Sequence, residues 1–324
     1  MENIILLATR NGLVIVQSLA ENTRDYRTVL PEQILTSVIA REGVILVGSR
    51  QGVQRSNDGG ETWRFVNEGL DQAYIRWLAY HPDISDFEVA GTEPAGIFIS
   101  TDGAESWRDQ PEVADLREQH GWRLPYSPGA GAVRGLTFNG HRLYAAVEVG
   151  GILRSDDAGK TWQLAGGSSG VPSRSSPAKG QVHADVYDVA VHPQNPDLVF
   201  AATGGGLFRS YNGGENWENL YRCYCRSLWL DPENPQHIIF GPADYVGSIG
   251  RIETSHDGGT SWQNGSGNLD VPWPKTMVEH FTQAGDNLYA VLDNGCVLTA
   301  SLETLDWMYA FEDVEGVNAI TVMG

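Results

Sequence analysis

Five copies of one eight-residue pattern constrain this chain more than anything else in it. They read SNDGGETW (56–63), STDGAESW (100–107), SDDAGKTW (155–162), SYNGGENW (210–217) and SHDGGTSW (255–262). Each follows a short apolar run opened by glycine: GVQRS, GIFIS, GILRS, GLFRS and the looser GRIETS. The five tryptophans are spaced 44, 55, 55 and 45 residues apart. A period of this size marks stacked supersecondary units, none of which can bury its apolar face alone.

One unit, 186–217, shows the internal order. An apolar run from Val186 to Val191 ends at His192-Pro193, and a second from Leu198 to Thr203 ends at a glycine cluster. A third, Leu207 to Ser210, enters the octapeptide, and Trp217 opens a fourth. Short runs rich in Val, Leu, Phe and Tyr, separated by turn residues, read as a strand meander. Four strands in each such repeat is the pattern of a propeller blade.

Two degenerate copies complete the count. Ile4 to Thr9 and Gly12 to Val16 match the second and third strands, with no octapeptide after them. Leu288 to Val291 and Gly295 to Leu298 match the same pair, with Trp307 at the tryptophan position. The tail Val317 to Val322 then reads as a lone first strand, which the N-terminal copy lacks. Joining the two ends makes one blade and removes exposed sheet edges. The expectation is all-β: one closed seven-bladed propeller domain of four-stranded blades over 1–324, its ring closed by the C-terminal strand on the N-terminal blade. Blade boundaries are expected near 27, 69, 118, 175, 220 and 272.

Charge narrows the partners. With 41 acidic and 22 basic residues the formal charge is −19. A nucleic-acid backbone or an anionic membrane needs a cationic surface, so neither is expected. Three cysteines, Cys223, Cys225 and Cys296, are too few for a disulfide framework and read as ordinary thiols. The N-terminus MENIILLATRNG has no basic leader, and no apolar run is long enough to span a bilayer. These features suggest a cytoplasmic monomer, without a cofactor, whose partner is a protein, a sugar or another small molecule.

The octapeptide resembles the Asp-box, or BNR repeat, of sialidase-like propellers. The resemblance implies that the box is a structural hairpin between third and fourth strands, on the face away from the usual active site. It assigns turn roles to Asp58, Asp102, Asp157, Asn212 and Asp257, and anchoring roles to Trp63, Trp107, Trp162, Trp217 and Trp262. Phrases such as HPQNPDLVFAATGGGLFRS and HPDISDFEVAGT also look like bacterial proteins similar to the photosystem II stability/assembly factor. That family binds assembly intermediates and performs no catalysis.

In a propeller the first strands line the central channel, and the loops between blades open on one face. The chain places its longest insertions there, at 108–132 and 163–185. The first carries His120, Trp122 and Tyr126; the second, rich in Ser and Gly, reads as solvated linker. Aligning first strands on the His81-Pro82, His192-Pro193 and Asp231-Pro232 turns brings Thr36, Arg76, Arg134, Tyr187, Arg226 and Glu279 to one level. Ser37, Trp77, Gly135, Asp188, Ser227 and His280 fall at the next. Three arginines at one level can hold a carboxylate or phosphate by bidentate bonds, or pair with Glu279, Asp188 and Asp185 across the channel.

The candidate ligand-binding set is therefore Arg76, Arg134, Arg226, Tyr187, Trp77 and His280. The leading function is a non-catalytic binding propeller that presents its loop-rich mouth to a protein or a small ligand, an anion being one class. The alternative is a glycoside hydrolase or lyase at the mouth, with Glu279 and Asp188 as candidate catalytic carboxylates. Sialidases use an arginine triad, but their six blades and Phe/Tyr-Arg-Ile-Pro segment have no match here. His120, His183 and His280 could hold a metal, although no compact ligand spacing supports one.

Overall fold

In the computed structural model, which describes residues 4–19, 23–124, 130–173 and 175–323, seven antiparallel sheets are ringed around one axis. Each is a four-strand meander, and the sixth carries an additional short strand, Ser248–Gly250, beside its second. The inner strands are Val317–Met323, Leu35–Arg41, Ile75–Tyr80, Ala132–Asn139, Val186–His192, Tyr224–Leu230 and Val278–Ala284. They touch one another in sequence all the way round. The first blade is built from both ends of the chain: Val317–Met323 pairs antiparallel with Ile4–Thr9, Leu7 lying opposite Ile320. The seven-bladed count and its closure thus follow the repeat pattern.

Two of the expected boundaries fall inside strands. Position 27 lies within Thr23–Val29, the outer strand of blade 1, and position 220 within Glu218–Tyr221, the outer strand of blade 5. Outer strands carry few buried side chains, so their ends leave little hydrophobic signature.

The core lies between blades. Second strands are the most buried: Val44–Ser49, Arg142–Glu148 and Asn195–Thr203 hold runs of fully covered residues. Both faces pack against neighbouring sheets, which is why these strands read as continuous apolar runs without alternation.

Each octapeptide forms the same turn between third and fourth strands. Ser56 Oγ donates to Asp58 Oδ1 at 2.8 Å and accepts from Gly60 N at 2.8 Å. Asp58 then accepts from Thr62 N at 2.9 Å and Thr62 Oγ1 at 2.6 Å. These bonds hold the Asp58 carboxyl down at about 2. The pattern recurs at Asp102, Asp157 and Asp257; at Asn212 the Oδ1 accepts from Ser210 Oγ and Asn216 N, and the last side-chain bond is missing. Glycines at the turn sit in the left-handed region, Gly59 at φ 68° and Gly60 at φ 91°, where a side chain is strained.

The tryptophans anchor these turns. Trp107, Trp162 and Trp217 are buried, whereas Trp63 and Trp262 are half-buried. The Trp107 indole donates to Val66 O of the preceding blade at 2.8 Å; that of Trp217 stays in its own turn, on Gly214 O at 3.0 Å.

A second device was not anticipated from sequence. The arginine just before the serine of the box reaches the turn of the next blade. Arg55 bonds Gly103 O, Arg154 bonds Gly213 O at 2.9 Å, and Arg209 bonds Gly258 O. Charged groups on backbone carbonyls make stronger bonds than neutral donors, so these arginines strap neighbouring blades together.

Candidate functional site

All six first-strand residues that the sequence places at one level share a backbone peculiarity. The ladder between first and second strands skips one residue in each blade, at Thr36, Arg76, Arg134, Tyr187 and Glu279, and at Arg226-Ser227 in blade 6. Blade 1 does the same at Asn318. A bulge leaves one residue unpaired and re-aims its side chain. Seven bulges at one height therefore make a ring of seven side chains. Asn318 completes it, and its amide donates to Leu35 O at 2.8 Å.

The ring opens into an axial cavity of about 320 Å³, lined by Arg76, Arg134, Arg226 and Glu279 with Trp77 and His280 beneath. Glu279 reaches across the channel. Its Oε1 lies 2.6 Å from Arg134 NH2, three blades away, and its Oε2 lies 2.5 Å from Arg226 NH1 in the neighbouring blade. Burial opposes ionisation of Glu279, but the guanidiniums of Arg226 and Arg134 outweigh it and hold the carboxyl at about 2. Tyr187 stands between the two arginines, their Cζ atoms 5.7 and 5.2 Å from its ring centroid. Such cation–π contacts fix the planes of both guanidiniums.

Arg76 is held separately. Its NH1 pairs with Glu93 Oε2 at 3.0 Å and bonds the Tyr74 hydroxyl at 2.8 Å. Arg134 also lies 3.6 Å from Glu148. The expected pairing of the arginines with Asp188 and Asp185 is thus corrected: Glu93, Glu148 and Glu279 are the partners. Glu93 and Glu148 stand at or just past the ends of second strands, as do Arg10 and Asp293, which also line the cavity. A column drawn through those strand ends would have found all four.

The next ring ties blades together. Asp188 Oδ2 accepts from Ser227 Oγ at 3.0 Å and Leu228 N at 3.3 Å; Ser227 Oγ accepts from Phe281 N at 3.1 Å. Ser37 accepts from Leu78 N in the same way. Burial pushes the Asp188 carboxyl up to about 6. Trp77 and His280 meet across the channel with ring centroids 4.9 Å apart. Burial lowers the imidazole to about 4 despite Glu279 beside it, so His280 is neutral at pH 7.

The insertions build the walls of the mouth. The first contains a helix, Pro111–His120, in a chain otherwise read as all-β. It starts with proline and ends on Gly121 in the left-handed conformation, a favourable start and stop. Trp122 is fully buried, and its indole donates to Gly170 O of the second insertion at 2.7 Å. Tyr126 lies outside the described residues. The second insertion is no free linker: Ser168 is buried and its hydroxyl accepts from Ile152 N at 3.0 Å.

The three histidines lie apart. His120 stands beside Gly170, His183 is buried at the edge of a cleft between the insertions, and His280 lies in the channel. Among the described residues, no group of three or more His, Cys, Asp or Glu side chains gathers as metal ligands would. Cys225 is buried, Cys223 partly so and Cys296 exposed.

No family model matches the chain. Rat sortilin is 32% identical over 119 residues, which span 33% of this chain and 14% of sortilin. A Paenibacillus xyloglucanase is 25% identical over 276 residues, or 72% of this chain and 25% of that protein. The chain therefore spans a quarter or less of these relatives. Among solved structures, an ancestral GH74 enzyme superposes with a TM-score of 0.61 at 18% identity, over 90% of this chain and 38% of that one. YCF48 bound to a D1 peptide superposes with a TM-score of 0.60 at 15% identity, over 93% and 92% of the two chains. At these identities the structural likeness is one of fold. No helix among the described residues is long and apolar enough to cross a membrane.

Proposed function

We propose that this chain is a binding propeller of the Asp-box kind, and that the arginine ring at the channel mouth receives an anionic group of a protein or small ligand. The observation that carries this reading is the convergence of Arg76, Arg134 and Arg226 on one open axial cavity of about 320 Å³. Glu279 already occupies the clamp between two of them, so the resting site carries its own carboxylate. An incoming carboxylate or phosphate takes the Arg76 side of the cavity or displaces Glu279. The peptide seen on YCF48 supports a peptide-binding role for a propeller of this shape.

Calorimetry with acetate, succinate and phosphate tests the proposal. The wild type binds at least one of them, and Arg134→Ala binds it at least tenfold more weakly. Equal affinity in both proteins makes the ring a structural ion-pair network.

A second reading is glycoside hydrolysis or lyase chemistry. It draws on the partial likeness to a xyloglucanase and on carboxyls with opposed environments at the mouth: Glu279 held ionised, Asp185 pushed up by burial. At neutral pH Glu279 serves as a carboxylate base or nucleophile, not as an acid. Turnover of xyloglucan or aryl glycosides that disappears in Glu279→Gln would replace the binding reading with this one.

A further inference from the structure

Beside the axial cavity, between the two insertions, lies a larger cleft of about 590 Å³. Leu124, Val149, Pro172 and Val246 are its apolar lining, and its charged lining is Asp185, Glu148, Arg226 and Arg123. We propose that this cleft binds an aliphatic ammonium group, the group a lysine side chain of a partner presents. The proposal names a second anchor on the same mouth and stands apart from the anion reading of the ring.

The charges motivate it. Glu148 shares Arg134 with Glu279, and Arg226 is held by Glu279. Among the described residues, Asp185 makes no ion pair with an arginine or lysine. Its Oδ2 accepts from the Tyr187 hydroxyl at 2.9 Å, whereas Oδ1 is buried without a hydrogen-bond partner. Burial, and then the Glu148 charge, push its carboxyl above the usual range. His183 cannot supply the missing charge at neutral pH, because burial lowers its imidazole. A buried carboxylate without a countercharge is costly, and an external cation offsets that cost.

The walls select what carries the cation. Val149 sits at φ 61°, the left-handed region, where a β-branched residue is an outlier. Strain of this kind persists only where its surroundings demand it, and it gathers at ligand sites. Here it sets a valine on the cleft, whose lining also includes Val246, 61% exposed. On the Asp185 side, a Cβ at Gly204 would come within 2.7 Å of Asp185 Oδ2. Glycine thus leaves the carboxylate room to lie along the cleft floor. An apolar stem ending in a positive charge matches walls and floor together, whereas a hydrated inorganic cation would leave the walls unused.

The test uses the full chain with methyl-labelled Leu and Val, titrated with n-butylammonium, butyrate and n-butanol. Butylammonium is expected to shift the Leu124, Val149 and Val246 methyl signals saturably, and to bind at least tenfold more tightly than the other two. Asp185→Asn should weaken the amine at least tenfold. Val149→Gly removes the wall while relieving the positive φ, which offsets part of the packing lost beside Trp122 and Val147; with its fold confirmed by circular dichroism, it should bind several-fold more weakly. Butyrate or butanol matching the amine, or Val149→Gly binding like the wild type, overturns the proposal. Neither result bears on the axial ring, which is read through anions and Arg134→Ala.

Discussion

The two faces of this propeller use the same strands in opposite ways. On the boxed face, five turns repeat one set of bonds from Ser56–Asp58 through Ser255–Asp257, and arginine straps join blade to blade. On the mouth face, seven bulges repeat one backbone shape but present Asn, Thr, three Arg, Tyr and Glu. One face repeats chemistry to hold the ring; the other repeats geometry and varies chemistry. Repetition of side chains therefore marks scaffold here, and divergence at a repeated backbone position marks the candidate site.

The largest effect should come from opening the ring, which both faces share. Deleting 317–323 exposes the edge Ile4–Thr9 and removes buried Val317 and Ile320. The expected loss exceeds about 5 kcal/mol, seen as loss of the cooperative melt by circular dichroism. A truncated protein that melts like the full chain would show that closure contributes little.

A matched tryptophan pair separates the faces directly. Trp107 belongs to a boxed turn and Trp122 to the mouth, and both are buried with bonded indoles. Alanine at either should cost about 3–5 kcal/mol. Only Trp122→Ala should also abolish ligand binding at the mouth, because it releases the second insertion at Gly170. Binding lost equally in both would mean that the faces are not independent.

Glu279→Ala probes the ring itself. Removing one partner of a buried pair should cost about 3 kcal/mol, read from chemical denaturation. Acetate should restore part of the loss in the variant by occupying the space between Arg134 and Arg226, and should do less for the wild type. A variant indifferent to acetate would mean that the clamp cannot take an external carboxylate.

The smallest expected effect tests a buried acid of the boxed face. Burial pushes Glu88 up to about 7, and one of its oxygens has no hydrogen-bond partner. Its folded value lies above its unfolded one, so its favourable contribution is complete below about pH 4.5 and lost as pH rises through 7. Glu88→Gln should therefore stabilise by about 1 kcal/mol at pH 8 and by less at pH 5. A gap in melting temperature that stays constant between these pH values would refute that account of Glu88.

Most of the scaffold was legible because it is local. The octapeptide, the glycine before each third strand and the apolar second strands each carry their signal within a few residues. The level of Arg76, Arg134, Arg226 and Glu279 was also readable, since the His81-Pro82 and His192-Pro193 turns set a common origin for counting. The partner of Trp122 was not legible because nothing in a long insertion marks which carbonyl its indole will meet, here Gly170 O, 48 residues away. Asn318 was missed because its blade is assembled from the two ends of the chain.

By itself the sequence determined the number of blades, the pairing of the ends and the turn chemistry, because these depend on side-chain periodicity and on residues that are near neighbours in the chain. Tertiary structure alone decided the partners: Glu279 on Arg134 across 145 residues, Glu93 on Arg76, and the two insertions closing one cleft around Asp185. Charge pairing depends on distance in space, and the ring brings together first strands, strand ends and loops that no spacing in the sequence relates.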